Sequence, residues 1–247
     1  MAPAFENIII SRNDGIVELR MHHQEGPAKW ATWGGLHREL GIAFAQIAAD
    51  AEARALLITG TGDSFCAEFD MNVEMPPMSA TNWDIILREG RSLLQNLLSI
   101  EIPVIAAVNG PAFIHAEIPL LADIVLASQS AVFADKPHAI AGIVAGDGVH
   151  SIWPMLLGPN RGRYFLMTGQ EIGAQEALSL GLVGEVLPAG ELLDRARELA
   201  RMISARPRIS NRYTRILLTR NIRDRLAKEL DQGLAMEGLA ILSTLSS

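Results

Sequence analysis

Apolar and polar positions follow two different periods along this chain, and the change from one to the other divides it. Ile8–Ser11 and Ile16–Met21 are short β-type runs around Asn13-Asp14-Gly15, a turn signal that predicts a hairpin. Leu36, Leu40, Ala43, Phe44 and Ile47 recur at helical spacing, which predicts a helix over Leu36–Ala49. Ala55–Thr59, Pro103–Val108, Ile124–Ala127 and Ala131–Phe133 are compact apolar runs that read as buried strands. Between them, Trp83–Ser99 has the spacing of a long helix, whereas the Met- and Pro-rich stretch Asn72–Asn82 fits neither period.

From Ala174 onward strand signals almost vanish, apart from Gly184–Leu187. Glu191–Ser204 and Arg208–Leu242 read as amphipathic helices with an Arg-rich face. This alternation predicts an α/β fold of stacked ββα turns and not a Rossmann sheet. The expected organisation is a ββα core over residues 1–195 and a C-terminal helical region over 196–247, packed on the core and at subunit contacts. No linker, low-complexity segment or repeat calls for a second independent domain.

Length and composition narrow the class. A chain of 247 residues with 49% hydrophobic content suits one large α/β domain with a substantial core. The formal charge of −7, with no basic block, argues against nucleic acid or an anionic membrane as partner. Cys66 is the single cysteine, which excludes an internal disulfide and suits a reducing compartment. The start MAPAFENIII lacks a charged segment followed by an apolar one, and the longest apolar run, Pro103–Val108, is far short of a membrane span. The expectation is a soluble, cytoplasmic protein.

Several segments invite a chemical reading. Gly60-Thr61-Gly62-Asp63-Ser64 matches no phosphate-binding motif and reads as a turn after a buried strand. FCAEFD (Phe65–Asp70) and NGPAFIHAE (Asn109–Glu117) each follow a buried strand, where turn N–H groups can be left free. Two such groups aimed at one point make an oxyanion hole. Glu68 and Asp70 read as turn or helix-capping groups. His22, His23 and His150 read as surface or satisfied histidines, and Cys66 has no base at motif spacing. There is no HxxxH, HxH or CxxC pair, and His22 and His23 are neighbours on a strand, pointing to opposite faces. No metal site is expected.

Four segments carry a family likeness. FCAEFD is similar to F-S/A-A-G-x-D, AAVNGPA to A-x-V/I-N-G-x-A, and PHAIAGIVAGDG to P-E-x-x-x-G-x-x-P-G-x-G. GQEIGAQEALSLGLVGEVLP is similar to the more specific G-x-x-I/L-x-A-x-x-A-x-x-x-G-L-V-x-x-V. From about Phe5 to Leu193 the chain thus resembles the crotonase (enoyl-CoA hydratase/isomerase) superfamily, which implies a crotonase-type spiral of ββα turns. The resemblance places one oxyanion N–H at Phe69 and the other in Ile114-His115-Ala116, where the family has a glycine run. The two hydratase glutamates fall at Ile118 and His138, so enoyl-CoA hydration is not implied. Asp123 matches a structural position. DMNVEMPPM offers no cation for coenzyme A phosphates, and the adenine loop reads Ala28-Lys29-Trp30-Ala31, where Lys29 can still meet a phosphate.

Within the superfamily, strings such as PVIAAVNGP, ADIVLA and NRGRYFLMTGQE, with the Arg-rich C-terminal helix, resemble the cofactor-free β-diketone hydrolases. That likeness implies that the His138/Asp147 pair activates water and that His115 holds and protonates an enolate. It adds His37 beside the pocket and Glu237 from the C-terminal helix, acting in its own or a neighbouring subunit. Phe69, and Trp30 or Trp33, whichever faces inward, would form an apolar wall. The implied reaction is retro-Claisen hydrolysis of a non-enolisable cyclic 1,3-diketone, with no cofactor and no metal, in a homotrimer or dimer of trimers. The alternatives are a CoA-dependent hydrolase, isomerase or lyase using His138 and Asp147 on an acyl-CoA, and a non-catalytic binding subunit.

Overall fold

The computed structural model describes residues 5–244; Met1–Ala4, part of the start read as carrying no leader, lie outside them. The chain runs through β1 (Ile8–Asn13), β2 (Ile16–Met21), β3 (Lys29–Trp30), α1 (Gly35–Ala49), β4 (Ala55–Thr59) and β5 (Glu68–Phe69). Then come α2 (Ala80–Ser99), β6 (Val104–Val108), α3 (Glu117–Leu120), β7 (Ile124–Ser128), β8 (Val132–Phe133) and α4 (Lys136–Ala141). The last part holds α5 (Val149–Leu157), α6 (Pro159–Thr168), β9 (Ile172–Gly173), α7 (Ala174–Ser179), β10 (Glu185–Leu187), α8 (Ala189–Ser204) and α9 (Arg208–Thr244).

The hairpin forms as expected. Asn13 pairs with Ile16, and Asp14 and Gly15 both take positive φ (49° and 78°), the twist that a two-residue loop needs. The main sheet has the order β1-β2-β4-β6-β7-β10, parallel from β2 onward. Its central strands read as unbroken apolar runs because both faces are covered. Leu56, Ile58, Val104, Ala106 and Val108 point into the large core with α1 and α2. Ala55, Leu57, Ile105 and Ala107 point the other way, onto Leu192, Ala196, Leu199 and Ala200 of α8. The division at residue 195 falls inside that helix.

A second, much shorter layer completes the ββα turns. Cys66 bridges Ala112 and Ala112 bridges Phe133, both in parallel, and Phe133 pairs with Ile172. Each central strand (β4, β6, β7) is therefore followed by a one- or two-residue partner and then a helix. The sheet order advances one strand per turn, which is a spiral. Asn109 locks the turns together: its Oδ1 accepts from the Gly60 N–H, and its Nδ2 donates to the Gly62 and Ser64 carbonyls. The Gly60–Ser64 segment is thus a structural turn.

Two parts of the helical content escaped the sequence pattern. Helix α2 starts at Ala80, inside the stretch that fits neither period, because the Ser79 hydroxyl accepts from the Asn82 N–H and caps it. Helices α4 to α7 are short, and α4, α5 and α6 carry proline, so they show too few turns for a period to emerge. Glu68, read as a turn or cap residue, lies in β5 instead, because Trp30 pairs with Phe69 there. No helix among the described residues is long and apolar enough to cross a membrane.

Helix α9 is anchored by Arg215, whose side chain is almost fully buried. Its Nε donates to the Ile100 carbonyl, and its Nη1 lies 2.5 Å from Asp123, which also accepts from the Val104 N–H. Removing one partner of a buried ion pair leaves the other charge uncompensated. Arg215→Ala should lower unfolding stability by about 3–5 kcal/mol, read as a shift of the urea midpoint; an unmoved midpoint would deny this anchor its role.

Candidate active site

The short second layer delivers the site. Phe69 follows the bridge at Cys66 by three residues, His115 follows Ala112 by three, and Asp135 and His138 follow Phe133 by two and five. Stacked parallel bridges bring these segments side by side, and Trp30 joins them by pairing with Phe69. The opposite wall is the Gly146-Asp147-Gly148 turn backed by α9. A Cβ on Gly146 would stand 2.2 Å from the Gly233 carbonyl oxygen, so only glycine lets turn and helix approach this closely. One helical turn beyond Gly233, Glu237 reaches the same space.

The cavity measures about 420 Å³, opens to solvent on one side, and is walled by Trp30, Phe69, Trp83, Ile86, Ile143 and Leu234, among other apolar side chains. That size suits a small-molecule ligand, for which pockets run roughly 300–1,000 Å³. A larger open groove, about 610 Å³, lies between α1 and α2, but it holds no histidine.

Two histidine–carboxylate pairs face one aspartate. His115 Nδ1 lies 2.7 Å from Glu117 Oε1, and His138 Nδ1 lies 2.6 Å from Asp135 Oδ1. Asp147 Oδ2 sits between the rings, 3.6 Å from His115 Nδ1 and 3.8 Å from His138 Nε2. Glu237 Oε1 is 3.6 Å from His138 Nε2. Trp30 lies against His115 with ring centroids 4.2 Å apart, and His37 meets Trp30 edge-on while bonding Glu89 at 3.4 Å. His115 itself has φ +50°, a backbone state that favours glycine. The histidine thus occupies a glycine-like position in the run Ile114-His115-Ala116.

Charge follows from this packing. Burial alone would lower both imidazoles, but the carboxylates outweigh it. Glu117 and Asp147 raise His115 to about 9, and Asp147, Asp135 and Glu237 raise His138 to about 12. Asp147 resists its own burial because His138, His115 and the Val149 N–H hold it below the ordinary carboxylate range. Burial raises Glu117 despite His115, and burial with the nearby Asp147 charge raises Glu237 to about 7. Burial keeps His37 below its ordinary value despite Glu89. At neutral pH the site therefore holds an ionised Asp147 between two imidazolium rings.

The fold brings together His37, His115, His138, Asp147, Glu237, Trp30 and Phe69. Glu237 reaches the pocket of its own chain. Trp33 is not in the wall: it is half-buried elsewhere, because the chain turns at Gly34-Gly35, both with positive φ, to start α1. Glu117, Asp135, Glu89 and Trp83 were not picked out from the sequence. The i, i+3 spacing of Asp135 and His138 was the one available signal; the others come from distant segments or from a bend. His22 accepts from the Glu25 N–H and His23 faces Asp70, away from this cavity. Burial pushes the Cys66 thiol up to about 12, which leaves it inert. Lys29, the one cation of the adenine-loop match, is 3.6 Å from Glu68. Although no metal-binding spacing exists along the chain, His138, Asp147 and Glu237, and separately His115, Glu117 and Asp147, place donor atoms within 4.8 Å of one another.

Comparison with known proteins gives a consistent frame. The family model for enoyl-CoA hydratase/isomerase matches residues 11–241. The carnitinyl-CoA dehydratase of Shigella flexneri is 34% identical over 200 residues, 80% of this chain and 74% of that one. The dehydratase of the same name from Proteus mirabilis is 39% identical over 168 residues, 67% and 63% of the two chains. Among solved structures, a β-diketone hydrolase from the cyanobacterium Anabaena sp. PCC 7120, bound to (S)-3-oxocyclohexyl acetic acid, superposes with a TM-score of 0.92. It is 43% identical, covering 96% of this chain and 94% of that one. An enoyl-CoA hydratase from Bacillus anthracis gives 0.78 at 28% identity, covering 98% and 92%.

The raised groups set a pH dependence of stability. His115 and His138 stand at about 9 and about 12 against an ordinary 6.5, and Glu237 at about 7 against 4.5, so the folded state holds more protons than the unfolded one. Their contribution is complete below the ordinary values and is lost as pH rises. The urea midpoint should fall steadily from pH 6.5 to 9, and fall less in His115→Gln. A midpoint that rises across this window would contradict the imidazolium assignment.

Proposed function

The chain belongs to the enoyl-CoA hydratase/isomerase family, and from that premise we propose that it hydrolyses a carbon–carbon bond of non-enolisable bicyclic 1,3-diketones by a retro-Claisen reaction. The observation that carries this reading is the placement of Asp147 Oδ2 between the two histidine rings, 3.6 Å from His115 Nδ1 and 3.8 Å from His138 Nε2. Asp147 is the group free to take a proton from water. His138, flanked by carboxylates, is a donor and orients the aspartate. The resulting hydroxide adds to one carbonyl carbon; the bond to the bridgehead carbon then breaks, and its electron pair forms an enolate. His115, also protonated, donates to the enolate oxygen, and a proton on the former bridgehead carbon completes the keto acid. Water supplies the oxygen and both hydrogens, so no cofactor is needed.

The chemistry of the Anabaena ligand supports the substrate class. Joining the carboxyl carbon of 3-oxocyclohexyl acetic acid to the ring carbon that lies beside its ketone and across the ring from the side chain, with loss of water, gives a bridged bicyclic 1,3-diketone. That acid is therefore what such a hydrolysis leaves. The apolar wall of Trp30, Phe69 and Trp83 suits the hydrocarbon frame, while the polar cluster lies on one side. In the CoA-dependent reading, which the identity to carnitinyl-CoA dehydratases favours, the cofactor's phosphates would need a cation. Lys29 is engaged by Glu68, and Lys136 by Glu171 and the Phe113 ring. Assembly as a homotrimer or dimer of trimers is supported by the exposed Leu217, Leu218 and Leu239 on α9.

The test follows a bridged diketone such as 6-oxocamphor, with no CoA and no metal added, by chiral chromatography of the acid product. One enantiomerically enriched keto acid is expected, with kcat reduced about 10²–10⁴-fold in Asp147→Asn. No turnover across several cyclic diketones, with thermal stabilisation by acyl-CoA esters instead, would return the chain to the CoA-dependent enzymes.

A further inference from the structure

Around His138 the pocket holds more donor atoms than proton transfer requires. The Asp135 carboxylate fixes His138 Nδ1 at 2.6 Å, which sets the ring and leaves Nε2 as its outward nitrogen. This carboxylate–histidine arrangement is the support that metal-ligating histidines ordinarily have. Nε2 then faces Glu237 Oε1 at 3.6 Å and Asp147 Oδ2 at 3.8 Å. A four-coordinate zinc ion with bonds of about 2.0–2.1 Å sets its donors about 3.3 Å apart, so each carboxylate needs to close on Nε2 by only a few tenths of an ångström, and the three donor atoms all lie within 4.8 Å of one another.

Two further observations point the same way. Glu237 is more than nine-tenths buried, and its Oε2 has no hydrogen-bond partner among the described residues. Asp147 Oδ1 is likewise buried and unpartnered. Buried carboxylate oxygens without partners are costly; these are the second oxygens of the same two carboxylates whose Oδ2 and Oε1 face Nε2, so both groups carry acceptor capacity that a cation can use. The other three-donor group is less suited, because Glu117 already occupies His115 Nδ1, the atom that would have to ligate.

We propose that His138 Nε2, Asp147 and Glu237 form a site for a divalent cation of the zinc type, and that occupancy shuts the pocket instead of activating it. The ion takes one lone pair each from Asp147, Glu237 and Nε2; the imidazolium proton on Nε2, and the proton of Glu237 where it carries one, leave to solvent, with no change of oxidation state. A fourth coordination position faces the cavity, open to water or a small anion. The imidazole ligand favours zinc or cobalt over magnesium, which demands an all-oxygen octahedral shell.

Cobalt(II) chloride titrated into the purified protein reports the site directly by its visible absorption, with zinc chloride as competitor. Expected are one ion per chain, displacement by zinc but not by excess magnesium, and affinity reduced tenfold or more by each of Glu237→Gln and His138→Gln. Circular dichroism checks that these variants are folded. The His22→Ala/His23→Ala double variant, away from the pocket, should bind as the parent does. No uptake at millimolar cobalt, or an affinity unmoved in both pocket variants, would overturn the proposal. Binding is read without substrate, so it stands or falls separately from the diketone reading. Where turnover is measured, micromolar zinc should abolish it and a chelator restore it.

Discussion

Keeping four carboxyl groups away from water, three lining one largely apolar cavity and Glu117 buried behind His115, is the constraint on which the rest of this site depends. Glu117, Asp135, Asp147 and Glu237 each have an oxygen that is buried and unpartnered among the described residues. Unpaired, buried charges of this kind cost several kcal/mol each. The two histidines resolve part of that cost by staying protonated, and Glu237 resolves part by rising to about 7. Asp147, set between the two rings, is held below the ordinary carboxylate range by His138 and His115 despite its burial. The functional reading and the cation site draw on the same imbalance: a surplus of negative donors around an imidazole suits either a proton or a metal ion.

Such a cluster needs a rigid frame, because small movements would let water in. The frame is the central sheet, packed on both faces, with its narrow second layer of bridges at Cys66, Ala112 and Phe133. Successive turns of the spiral repeat the same geometry, so side chains a few residues past each bridge arrive at neighbouring places. The glycine contact between Gly146 and Gly233 closes the far wall and fixes how near α9 comes. Arg215, far along the same helix, holds its other end against the sheet.

The family frame and the chemistry are separable here. His115 sits at φ +50°, in the run where the family pattern has glycines, so the backbone path persists while an imidazole enters the cavity. Ile118, at one hydratase glutamate position, is simply core, and His138, at the other, carries a different charge. This explains how the chain can match carnitinyl-CoA dehydratases in sequence and a β-diketone hydrolase in structure. The shared part is the scaffold, while the chemistry rests on the side chains that line the cavity.

The sequence by itself determined the hairpin, the central strands and the long helices, because each rests on local period or turn chemistry: two residues at positive φ, unbroken apolar runs, recurring leucines. It also carried the family likeness and, through it, the histidines, Asp147 and Glu237. It could not reveal the short helices α4 to α7, nor choose between Trp30 and Trp33, since two tryptophans three residues apart look alike until the chain turns at Gly34-Gly35. Glu117 and Glu89 stayed hidden for the same reason: their partnership with His115 and His37 depends on a strained bend and on packing between helices. Only the tertiary structure decided the charges, because a pKa is set by what surrounds a group across the fold and not by its neighbours along the chain.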